Sequence, residues 1–233
     1  MLKRAAHFII IAIVFMAPFS AQARPEQVRV ENNDPTITKA QRQALRQQVA
    51  REYETLKVFF NADVGPVTLT VRDHGVGRHV PPAQIIIPSR LIIKSRAITA
   101  HELTHLLTQG WASALLKEGL AVYAQDKFGE QRGWPNFKTS IHRAAIIAIN
   151  KTEPLVRGPG DANRVLSTRN PGKTDLRRAA YNVAGSWVMW IIEQRMDGDI
   201  ARFMVELYRS NAYRKTLGAS FAELRHEWRT FLA

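Results

Sequence analysis

The chain contains no cysteine. Without thiols it has neither a disulfide framework nor a lipobox cysteine for lipid attachment. Acidic residues are scarce as well: 20 Asp and Glu stand against 33 Lys and Arg, for a formal net charge of +13. Also missing is any apolar run of the roughly 20 residues that a membrane-spanning helix needs. Nor is there an internal repeat or a low-complexity tract, which excludes solenoids and repeat arrays.

What is present fits one globular domain. At 233 residues and 45% hydrophobic content, the chain is long enough to bury one substantial core. It opens "MLKRAAHFIIIAIVFMAPFSAQA": two basic residues, an apolar run from Phe8 to Met16, then Pro18 and the small-residue triplet Ala21-Gln22-Ala23. This is the build of a secretory signal peptide over residues 1–23, cleaved after Ala23. The expected mature protein is a single domain over residues 24–233, periplasmic or secreted, with no transmembrane anchor after processing. Losing Lys3 and Arg4 leaves 31 basic against 20 acidic residues, a net charge of +11. That charge favours an anionic partner such as a cell-envelope component. Its basic residues are dispersed and no nucleic-acid-binding motif accompanies them, so no specific nucleic-acid partner is expected.

Residues 24–35, "RPEQVRVENNDP", read as a loose or weakly extended leader. From Ile37 to Phe60, apolar residues recur at three- or four-residue spacing, which predicts an amphipathic helix with Thr38 as its cap. The β-branched "PVTLTVRDH" and the run "AQIIIPSRLII" predict two strands, with Pro88 confining the second to a sheet edge or marking a bulge. Helical patterns then dominate, over 95–109, 114–128, 136–150, 175–196, 199–208 and 220–232. A Pro-, Gly- and Asn-rich loop from Glu153 to Asp175 interrupts them and is the expected mobile element.

One short stretch carries chemistry. "AHELTHLL", residues 100–107, places His101 and His105 four apart with Glu102 between them, on a helix that is apolar nearly all round. Burying two imidazoles and a carboxylate there costs several kcal/mol unless strong partners offset it. A metal is the simplest partner. The i, i+4 spacing puts both rings on one face, where their nitrogens can reach one Zn²⁺ at about 2.0–2.1 Å. Glu102 lies about 100° round the helix, beside the open coordination positions, where a general base belongs. Thirteen residues after His105, "LLKEGLAVYAQ" places Glu118 on a second helical segment. A carboxylate there completes a His₂Glu set that leaves the fourth position for water.

"AHELTHLL" followed by "LLKEGLAVYAQ" resembles the gluzincin metallopeptidases, the group of thermolysin and the zinc aminopeptidases, and is most similar to small bacterial peptidase MA-like domains. The resemblance implies a zincin-like α+β fold: a small N-terminal β-sheet, an active-site helix and a mostly helical C-terminal half. It implies one Zn²⁺ per chain on His101, His105 and Glu118, with Glu102 as base, in a metallopeptidase acting on a peptide or protein substrate. The interval from His105 to Glu118 is shorter than in the best-known members. The G-x-M-E-N-like stretch of the zinc aminopeptidases is absent, which favours an endopeptidase or a specialised processing role.

Acyl transfer also benefits from a second oxyanion donor. Tyr181, in "RRAAYNVAGSW", is similar to the tyrosine that gluzincin aminopeptidases carry at the start of such a helix, although Gly185 stands four residues on rather than three. A core tyrosine with a satisfied hydroxyl is the other reading. The segment "QIIIPSRLII" is expected to hold substrate backbone by strand pairing. His226 falls off the apolar face of its helix, and His74, His79 and His142 have no interpretable partner spacing. They are expected to be structural or exposed. The alternative to an enzyme is a non-catalytic, zinc-containing envelope-binding protein on the same scaffold; it has no use for Glu102.

Overall fold

The computed structural model describes residues 27–110, 112–152, 155–168 and 174–233. The expected signal peptide lies outside them. Strand β1 (Val28–Asn32) leads to helix α1 (Lys39–Phe60), then strands β2 (Val67–Arg72), β3 (Arg78–Val80) and β4 (Gln84–Pro88). Helices follow: α2 (Ser89–Ile93), α3 (Thr99–Leu107), α4 (Ala114–Phe128), α5 (Ile141–Thr152), α6 (Pro159–Ser167) and α7 (Thr174–Trp190), the last running into a π-helical segment, Ile191–Arg195. A short helix α8 (Ile200–Arg202) with a π-helical continuation, Phe203–Tyr208, then α9 (Tyr213–Leu217) and α10 (Phe221–Leu232), complete the chain. The architecture is α+β, with one small sheet near the N-terminus and a helical remainder.

Local chemistry explains the best-matched element. Thr38 caps α1 in a capping box with Gln41, and Asn61 in the left-handed region closes its other end. In the sheet the order is β1-β2-β4-β3, with β1 and β4 parallel to β2 and β3 antiparallel to β4. Two expectations are corrected here. The leader contains a real strand: Val28 pairs with Val67, and neither is exposed. Moreover, "QIIIPSRLII" is not an edge. Its first half is β4, flanked on both sides by strands and buried at Ile85, Ile86 and Ile87. Pro88 is tolerated because it ends the strand and caps α2 instead of interrupting the ladder. The edge next to α3 is the three-residue β3.

Two apolar clusters hold the molecule together. The first joins the sheet to α1 and to α3 through Ala100, Leu103, Leu106 and Leu107. The second gathers the α4 face of Leu115, Leu116, Leu120 and Tyr123 with α5, α6, α7 and α10, around Trp187 and Trp228. Helix α4 lies close against α7: a Cβ on Gly119 would sit 2.4 Å from the Ala184 carbonyl oxygen, and one on Gly185 would sit 2.4 Å from a Val122 methyl. Only glycine permits that approach. Part of the expected mobile loop is helix α6, which begins with Pro159 in its first turn; residues 153, 154 and 169–173 of that loop lie outside the described residues.

Candidate metal centre

Helix α3 is buried at every residue from Thr99 to Leu107. It starts at Thr99, not Ser95, whose φ is +50°. No side chain of its own caps it. The carboxamide of Gln125 on α4 accepts from the His101 amide at 2.9 Å instead, satisfying one of the donors that a helix start leaves open. The two helices that carry the expected ligands are therefore joined by a buried hydrogen bond. Behind the helix start, Glu52 of α1 accepts from the Thr99 hydroxyl and from Gln48 and the Glu130 amide, each at 3.0 Å for the latter two.

His101, His105 and Glu118 converge. Nε2 of His105 lies 3.2 Å from Nε2 of His101, and Oε2 of Glu118 lies 3.4 Å from the first-named helix residue, His101, and 3.3 Å from His105. Ligand atoms about 2.0–2.1 Å from an ion, on neighbouring corners of a tetrahedron, stand about 3.3–3.4 Å apart. The triangle therefore has the dimensions of one face of such a tetrahedron. Burial would push the Glu118 carboxyl up, but hydrogen bonds from His101 and His105 outweigh it and hold the group well below the usual carboxylate range. Desolvation lowers the His105 pKa. Both residues are thus poised in the forms that coordinate metal.

The far ring nitrogens, Nδ1 of His101 and of His105, are buried and have no hydrogen-bond partner among the described residues. Ligating histidines usually have their rings oriented by an acceptor at that position. Here ring packing does so. Trp134 stands edge-on to His101 at 4.6 Å, and His79 lies 4.7 Å from His105. His79, on β3, also places Nδ1 3.8 Å from Oε2 of Glu102. Glu102 itself is buried and is not part of the ligand triangle. Gly77 lets the strand pass close to it, since a Cβ there would stand 3.2 Å from Oε1 of Glu102.

Tyr181 is at the same site. Its ring is 6.1 Å from that of His101 and 4.6 Å from that of Trp134, with the Arg177 guanidinium 5.6 Å above it. Burial pushes its phenol up to about 12, so its proton stays in place near neutral pH. Two residues at the site went unread in the sequence. His79 has no helical spacing to any partner and arrives by strand pairing with β4. Trp134 comes from the irregular segment between α4 and α5. Of the other histidines, His142 bonds Ser186 at 2.8 Å, His74 is exposed beside Asp73, and His226 is exposed on α10. No protein-family model matches the chain, and neither a curated protein nor a solved structure matches it.

Proposed function

We propose that the protein is an exported zinc metallopeptidase with a zincin-like fold of the gluzincin type. The observation that carries this reading is the triangle of His101 Nε2, His105 Nε2 and Glu118 Oε2, with sides of 3.2 to 3.4 Å. His101, His105 and Glu118 would hold a zinc ion, which when bound would supply Lewis acidity toward water and a substrate carbonyl. Glu102 takes the proton from the attacking water and returns it to the departing amine. Its buried place beside the ligands, outside the ligand set, suits that role. Tyr181 donates its hydroxyl proton in a hydrogen bond to the oxygen on which charge develops. Strand β3 is the edge next to α3, and it replaces "QIIIPSRLII" as the segment offered to the substrate backbone for strand addition.

The test is zinc content combined with digestion of a broad peptide library. Purified protein should carry about one zinc per chain. Glu102→Gln should keep that zinc and lose roughly 10²–10⁴-fold in hydrolysis, the scale of a positioned acid–base group. Equal turnover by the variant would remove Glu102 as base, and absence of zinc from protein folded in its presence would end the reading.

A further inference from the structure

Away from the metal centre, a cavity of about 560 Å³ opens between the start of α6 and α10. It shares no residue with the ligand triangle. Arg157, Arg225, Arg229 and His226 supply its polar walls, and Asp161 is the one carboxylate among the described residues that line it. That carboxylate is already committed: one oxygen accepts from the Arg157 amide at 3.0 Å and the other from Arg164 at 2.8 Å. Among the described residues, no carboxylate pairs with the guanidinium of Arg157, Arg225 or Arg229.

Arg225 and Arg229 stand one turn apart on α10, where like charges repel. The helix has carboxylates of its own, but they are engaged elsewhere: Glu223 with Ser220 and Arg214, Glu227 with Arg195. Positive charge is therefore concentrated on one side of α10, facing the cavity. Arg229 also donates to the Arg157 carbonyl at 3.1 Å, which ties the helix to the segment that enters α6. Gly158 and Gly160 keep the floor bare of side chains, and no side chain caps α6. Guanidinium forks match the oxygens of a phosphate in a geometry that ammonium groups cannot reproduce. The volume is in the range of small-molecule sites and exceeds what one inorganic ion fills.

We propose that this basin binds a phosphate-bearing ligand, held by Arg157, Arg225 and Arg229. The inference does not depend on the metallopeptidase reading. A soluble phosphate ester and a phospholipid headgroup present the same chemistry, and the experiment separates them.

Inorganic pyrophosphate is titrated calorimetrically at fixed ionic strength into the purified protein, into Arg225→Ala/Arg229→Ala and into Arg157→Ala. The control, Arg42→Ala/Arg143→Ala, removes two exposed arginines from other helices and so matches the double variant in net charge. Wild type and control should bind alike, and each basin variant should bind about tenfold more weakly or worse, as expected when charge-assisted hydrogen bonds are lost. Circular dichroism and zinc content should be the same in all four. Because Arg157 lies outside α10, its variant reads the basin independently if the double variant misfolds. In a second arm, sedimentation with phosphatidylglycerol–phosphatidylcholine vesicles that pyrophosphate competes away identifies a headgroup as the source. Pyrophosphate binding without sedimentation identifies a soluble phosphate. Absence of saturable pyrophosphate binding to wild type, or an equal loss in the control, overturns the proposal.

Discussion

Gly119 and Ala184 touch where a methyl group has no room: a Cβ on Gly119 would lie 2.4 Å from the Ala184 carbonyl oxygen and 2.5 Å from a Val188 methyl. The obstacle is partly backbone, so it cannot turn aside. Gly119→Ala should push α4 away from α7, costing about 1–3 kcal/mol as overpacking does. Glu118 is the adjacent residue and moves with α4. The variant is expected to melt earlier and to hold zinc more weakly, measured by thermal denaturation and competition with a chromophoric chelator. Unchanged zinc affinity in a destabilised variant would mean that Glu118 is positioned independently of this contact.

Metal removal should expose the cost of the ligand cluster. Without a cation, two buried imidazoles and a carboxylate have, among the described residues, chiefly one another as polar partners. His105→Ala should lose the zinc, and chelation of wild type should lower its melting temperature while barely affecting the variant. Identical chelator sensitivity in the two proteins would contradict the ligand assignment.

Tyr181→Phe distinguishes a donor to the developing oxyanion from a core tyrosine. A donor used only in the transition state should show as a fall in kcat of about 10²-fold or more, with KM nearly unchanged. A purely structural hydroxyl would instead cost about 1 kcal/mol of stability and leave turnover of the folded protein intact. Both quantities are measurable on one preparation.

Glu52 gives a pH dependence with a definite sign. Burial raises its carboxyl from 4.5 to about 7, against the hydrogen bonds from Thr99, Glu130 and Gln48 that favour ionisation. The folded state therefore holds a proton that the unfolded state releases at lower pH. Stability should fall as pH rises from about 4.5 to about 7 and level off above, by an amount on the order of 3 kcal/mol at most. Glu52→Gln, which imitates the protonated acid, should be more stable than wild type at pH 8 and should lack this slope. A wild-type denaturation midpoint that rises over that interval, with the slope retained in the variant, would rule the effect out.

The site was legible where its geometry is local. The His101–His105 spacing is fixed by one helical turn, and the α4 limits, 114–128, are set locally by the Ser113 cap at its start and Gly129 at its end. What went unread depends on pairing between distant segments. β1 is short, ends in the polar pair Glu31-Asn32 and is flanked in sequence by Pro25 and Pro35; only its register with Val67 makes it a strand. β3 is three residues set in a turn-like sequence, and His79 gains meaning only because β4 holds it against α3. α6 had a readable signal that composition obscured: Pro159 at a first-turn position, which is a helix start as well as a loop residue.

His101 and His105 stand on the half of the molecule packed around the sheet, whereas Glu118 stands on the half packed around α7. On the proposed reading, metal retention would therefore be a strain gauge for the seam between the halves. A displacement of about 0.5 Å is enough to spoil a coordination geometry. Interior substitutions far from the ligands, such as trimming Trp187 or Leu56, should therefore register as a faster zinc off-rate whenever they let one half slip against the other, even where the melting curve is too blunt to record the slip.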